Sequence, residues 1–157
     1  MIEQLLEKRI IDKVSEVVKA SGVDGISIIG AWQPSAEGTV KGIETAGDLG
    51  ILSVKTKPRE YATPTIPHAT FDTTVSFSMR VEADPTGKKR LDVADRLVSL
   101  LYGWQASFDD FKEAFKSLKG FTPCGFTLVG GDVGLDRTAS LWTCSYSFTI
   151  NAVITNK

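Results

Sequence analysis

The chain has 157 residues and a formal net charge of −1, from 18 Lys and Arg against 19 Asp and Glu. That length predicts one domain with a genuine core, and the balance of charge gives no electrostatic reason to expect DNA or anionic lipid as a bulk partner. Two cysteines and a single histidine exclude a disulfide framework and leave few ligands for zinc.

Ile2, Leu5, Leu6, Ile10, Val14, Val17 and Val18 recur at spacings of three and four, which predicts an amphipathic N-terminal helix. Its charged residues Glu3, Glu7, Lys8 and Arg9 break the apolar run, so neither a membrane span nor a signal peptide is expected, and synthesis in a cytoplasm follows. Ser21-Gly22 stops the helix, because glycine takes the left-handed C-terminal position cheaply. Ile26 to Ile29 is a short apolar strand. From Gln33 to Asp48 the glycines and charges predict a long mobile loop or a loose hairpin, and Leu49 to Thr56 a second strand.

Lys57 to His68 holds Pro58, Pro64 and Pro67. Proline cannot donate to a sheet ladder, so this segment is expected to be an extended arm. Strict alternation then runs from Ala69 to Glu82, with Phe71, Thr73, Val75, Phe77, Met79 and Val81 on one face and Asp72, Thr74, Ser76, Ser78 and Arg80 on the other. Asp84-Pro85-Thr86-Gly87 reads as a turn. A central helix follows, with Leu91, Ala94, Leu97, Val98 and Leu101 on one face, an Asp92–Arg96 pair four apart, and Gly103 at its end. Ser107 caps a shorter helix that carries Asp109 and Asp110 in its first turn and Phe111, Ala114, Phe115 and Leu118 along its stripe. Phe126 to Val129 is a strand and Gly130 to Asp136 a glycine-rich turn. A hairpin about Gly134 would set Cys124 opposite Cys144, both expected to be reduced. The closing strand alternates Trp142, Cys144, Tyr146, Phe148, Ile150, Ala152 and Ile154 with Thr143, Ser145, Ser147, Thr149 and Asn151. The expected fold is α+β: one domain over 1–157, a mainly antiparallel sheet of four to five strands, and the N-terminal and central helices packed on one face.

The usual signatures of chemistry are missing. His68 sits in the proline arm, and Gly130-Gly131-Asp132-Val133-Gly134 lacks the lysine and hydroxyl residue of a phosphate loop and precedes a strand. Asp109 and Asp110 are adjacent, so on a helix they point in different directions. Trp32, Trp104 and Trp142 suit packing. Lys55, Lys57 and Arg59, and likewise Lys88, Lys89 and Arg90, read as solvated charges. No enzyme and no cofactor is expected. A small-ligand domain built on Arg80, Tyr102 and Tyr146 is the alternative from a different class.

A strand ending in Glu82-Ala83-Asp84-Pro85, an amphipathic helix, a glycine- and aspartate-rich turn, and then Leu141-Trp142-Thr143-Cys144-Ser145-Tyr146-Ser147-Phe148-Thr149-Ile150 form an order of elements. In that order, over Phe71 to Ile154 plus the first helix, the chain resembles the tail terminator proteins of long-tailed bacteriophages, and more loosely their tail-completion and neck proteins. Gly30 to Pro67 departs from that pattern. The resemblance implies a virion protein, assembled in the host bacterial cytoplasm, that closes into a homo-oligomeric ring of six. Its partners would be the tail tube protein and the head-side connector, with genomic DNA passing through the lumen without specific binding, and no membrane. Another neck or tube subunit is the neighbouring reading. Gln33, Glu37, Lys41, Glu44 and Asp48 of the loop, with Lys57, Arg59, Tyr61 and His68 of the arm, are the candidate interface residues. Glu37, Glu44 and Asp48 would also supply an acidic lining.

Overall fold

In the computed structural model, residues 2–23, 25–30 and 50–155 are described. The elements run α1 (Ile2–Ala20), β1 (Ile26–Gly30), β2 (Gly50–Glu60), β3 (His68–Arg80), α2 (Lys88–Ala106), α3 (Phe108–Phe115), β4 (Phe121–Asp136) and β5 (Leu141–Ile154). The five strands form one sheet in the order β1-β2-β3-β5-β4, antiparallel except for the β1–β2 pair. The expected α+β class is therefore the observed one.

Alternation sets which face is covered. Leu52 and Val54 of β2, Phe71, Val75, Phe77 and Met79 of β3, and Phe148 and Ile150 of β5 are buried beneath the helices. Against them pack Leu6, Ile10 and Val14 of α1, Leu97, Leu101 and Trp104 of α2, and Phe111 and Phe115 of α3. Aromatic rings knit the α3 end: Trp104 meets Phe115 edge-on at 5.2 Å, and Phe126 lies 5.0 Å from Phe148. Where β1 ends opposite Val54, the buried Glu7 of α1 accepts the Thr56 amide at 3.0 Å, so a helix carboxylate continues the hydrogen bonding of the sheet.

Several boundaries differ from expectation. Lys57 to Glu60 belongs to β2 and His68 opens β3, so the arm contracts to residues 61–67. Pro58 is tolerated because the β2–β3 register shifts between Pro58 and Glu60, where a missing donor costs the ladder little. Gly130 to Asp136 is the far half of β4, paired with β5 throughout, and the reversal comes later, with Ser140 at φ 55°. Cys144 consequently faces Val133 and Phe77, while Cys124 sits exposed at a register shift, so the two thiols are not opposed. Gly103 does not end α2, which runs on to Ala106. Ser107 then caps α3 by accepting the Asp110 amide at 3.3 Å.

The expected turn at 84–87 is locked by tertiary contacts. Asp84 Oδ2 accepts the Arg90 amide at 3.0 Å and caps α2. Trp142 Nε1 donates to the Asp84 carbonyl at 2.6 Å, and the Arg90 guanidinium lies 4.6 Å from the centre of the Trp142 ring. Arg90 Nη1 also donates to the Thr143 carbonyl at 3.1 Å and to that of Gly134. Arg90 is thus buried, not a solvated charge like its neighbours Lys88 and Lys89. Gly87 adopts φ 72°, and a Cβ there would stand 3.3 Å from the Trp142 ring. Backbone and packing both call for glycine.

Candidate assembly surface

The helices leave the second face of the sheet open among the described residues. Cross-strand register arranges that face in rows: Ser53, Ser76, Ser145 and Asp132 in one, Lys57, Asp72, Thr149 and Thr127 in another. Short hydroxyl side chains link across the strands, Thr74 to Ser147 at 3.3 Å and Ser76 to Ser145 at 3.1 Å. Thr70 donates to Asn151 Oδ1 at 2.9 Å. Arg59 pairs with Asp72 at 3.1 Å, and Thr149 donates to the same carboxylate at 3.1 Å. These mutual bonds satisfy the polar groups within the face and keep it even. Its hollows are shallow, about 390 Å³ by Lys55 and Thr74 and about 340 Å³ by Arg59 and Asn151.

On this face β2 and β4 differ in the sign of their charge, with Asp72 and Arg80 of β3 between them. Lys55, Lys57 and Arg59 stand exposed on β2, and Asp132 and Asp136 stand exposed on β4 at the opposite edge. Asp132 is level with Ser53, so the basic residues begin two positions further along and Lys57 lies four further.

Of the expected interface residues, Lys57 and Arg59 project from this face, Tyr61 is exposed in the connector, and His68 is exposed at the start of β3 opposite Val153. Gln33, Glu37, Lys41, Glu44 and Asp48 lie outside the described residues, as does the acidic lining expected of Glu37, Glu44 and Asp48. Asp132 and Asp136 were not anticipated, because their segment reads locally as a turn; the alternation of Val133 and Leu135 with Asp132, Gly134 and Asp136 was the available signal.

The alternative ligand site does not assemble. Arg80 belongs to the open face, whereas Tyr146 is buried on the helix face and donates to the Ala94 carbonyl at 3.1 Å. Burial raises the Tyr146 phenol to about 12, with the Cys144 and Asp95 charges adding to it. Burial likewise raises the Cys144 thiol to about 11, against the opposing pull of Arg90. Among the described residues no cluster of three or more His, Cys, Asp or Glu could hold a metal, and no helix is long and apolar enough to cross a membrane.

No family model and no curated protein matches the chain. Among solved structures it is similar to an Akkermansia muciniphila protein determined without its transmembrane region, at 13% identity and TM-score 0.31, over 98% of this chain and 85% of that one. A second Akkermansia muciniphila protein matches at 12% identity and TM-score 0.32, over 98% and 77%. Likeness at that level carries no argument about function.

Proposed function

We propose that this chain is a structural ring subunit, a tail terminator of a long-tailed bacteriophage. Six copies close head to tail, cap the completed tail tube, end its polymerisation and present a surface to the head-side connector, while DNA passes through without specific binding. The observation that carries the reading is the division of charge across one sheet. A closed ring needs two different, mutually complementary patches on each subunit. Asp132 and Asp136 on the β4 edge and Lys55 and Lys57 on β2 are such a pair.

Asp132 and Lys57 are offset by four residues along the strands, roughly 13 Å, and by three strand spacings across them, roughly 14 Å. Small hydroxyls on the open face and the shallow hollows supply contact area without a substrate cleft.

Charge swapping tests this reading directly. The variant Asp132→Lys/Asp136→Lys should fail to form rings, and so should Lys55→Asp/Lys57→Asp. An equimolar mixture of the two should restore six-membered rings in which the variants strictly alternate, because each mixed interface again joins opposite charges. Rings from either variant alone at wild-type affinity would sink the proposed interface.

A further inference from the structure

β4 is the last strand of the sheet among the described residues, and its two halves are guarded unequally. The near half carries Pro123 and register shifts at Pro123/Gly125 and Leu128/Gly130, devices that spoil an edge for further pairing. The far half, Gly130 to Asp136, has no proline, no lysine and no shift. Val133 is 43% exposed and Leu135 39% exposed there, although both belong to the helix side of the sheet. A groove of about 430 Å³ runs beside them, lined by Val98, Leu128, Gly131, Val133 and Tyr146.

We infer that this edge pairs with the same edge of a second copy, antiparallel and in one register, with Val133 opposite the partner's Val133. That register sets Gly131 opposite the partner's Leu135 and Asp132 opposite the partner's Gly134. Gly130 then faces the partner's Asp136. Every large or charged side chain except the central valine meets a glycine. On the helix side the partner's Leu135 lies over Gly131 and packs on the Tyr146 ring, which fills the place of the missing side chain and lines the groove. Centring the pair on Asp132 would oppose two carboxylates directly, and centring it on Gly134 would oppose Asp132 to the partner's Asp136. Like charges directly opposite destabilise a strand pair, so both alternatives are disfavoured. A register slip by one residue would put the helices on opposite faces and leave the groove empty.

The ring proposed above uses the same acidic edge, so dimer and ring exclude each other; only this competition rests on the ring reading. The pairing competes with ring closure in the free subunit, and a tube end favours the ring. Charge separates the two states. In the dimer Asp132 and Asp136 come diagonal to the partner's carboxylates, whereas in the ring they meet lysines. Asp132→Asn should therefore tighten the dimer and weaken the ring.

Cross-linking with sedimentation tests the register. In a Cys124→Ser background, Asp132→Cys mixed with Gly134→Cys should form a disulfide-linked heterodimer at least tenfold faster than either variant alone. Both positions lie away from buried Cys144, and a Cβ at Gly134 has its nearest neighbour at 3.5 Å. Val133→Asp should abolish the dimer while leaving the circular dichroism of the fold unchanged. Cross-linking of Asp132→Cys alone as fast as the mixture, a dimer unaffected by Val133→Asp, or wild-type rings with no dimer at any concentration would each overturn the inference. Dimers without rings, even when tubes are supplied, would instead remove the ring reading and leave the dimer standing.

Discussion

Removing the guanidinium of Arg90 should destabilise the fold more than any other single change to a charged side chain outside α1. Arg90 ties the first turn of α2 to the β4–β5 ladder by donating to the Thr143 and Gly134 carbonyls, and its plane lies 4.6 Å from the centre of the Trp142 ring. Hydrogen bonds from a charged donor are worth about 1.5–3 kcal/mol each, and a desolvated cation–π contact up to about 2 kcal/mol. Against this stands the cost of burying the charge, aggravated by a buried Nε that has no partner. Arg90→Met keeps the stem and relieves that cost, so a net loss of about 2–3 kcal/mol is expected. For a chain of this size that corresponds to a fall in Tm of about 5–10 °C. Urea unfolding followed by tryptophan fluorescence reads both the midpoint and the environment of Trp142, whose indole N–H is held by Asp84. Arg90→Lys retains the charge but not the planar fork, and should recover only part of the loss. A loss below about 0.5 kcal/mol for Arg90→Met, the range of ordinary surface changes, would refute the claim that this residue braces the fold.

Tyr146→Phe should cost about 1 kcal/mol by removing the phenol's hydrogen bond to the Ala94 carbonyl, measurable as a lower urea midpoint at unchanged slope. Gly131→Val should cost about 1–3 kcal/mol, because a Cβ there would stand 2.4 Å from the Tyr146 ring. Stability should also fall under alkaline conditions. Cys144 is raised from 9.0 to about 11 and Tyr146 from 10.0 to about 12, so above pH 9 the unfolded chain releases protons that the folded chain retains. Their contribution is whole below pH 9, declines as pH rises, and is exhausted near pH 12. Cys144→Ala should flatten the early part of that decline and Tyr146→Phe the later part, in denaturation midpoints taken across the range.

Alternation and helical spacing carried most of the architecture, since β3, β5 and the helical stripes bury most of the side chains that their periods select, although Leu5 and Leu91 are exposed. What local reading missed depended on distant contacts. Gly130 and Gly131 look like turn residues, yet Gly131 is a strand residue whose missing side chain admits the Tyr146 ring. Pro58 looks like a strand breaker, but it occupies a register shift. Lys88, Lys89 and Arg90 form one basic run in the sequence, and only the helical phase set by Asp84 and Trp142 turns the third of them inward. The candidate surface was legible by half. Lys57 and Arg59 stand out as charges of the arm, whereas Asp132 and Asp136 fall in a segment that reads locally as a glycine-rich turn.

Negative-stain images and sedimentation mass of the two charge-swapped variants, separately and mixed, test the head-to-tail ring most directly. The account predicts no rings from Asp132→Lys/Asp136→Lys, none from Lys55→Asp/Lys57→Asp, and six-membered rings from the mixture. A mixture that stays below ring mass at every concentration, while the wild-type chain forms rings, would contradict it.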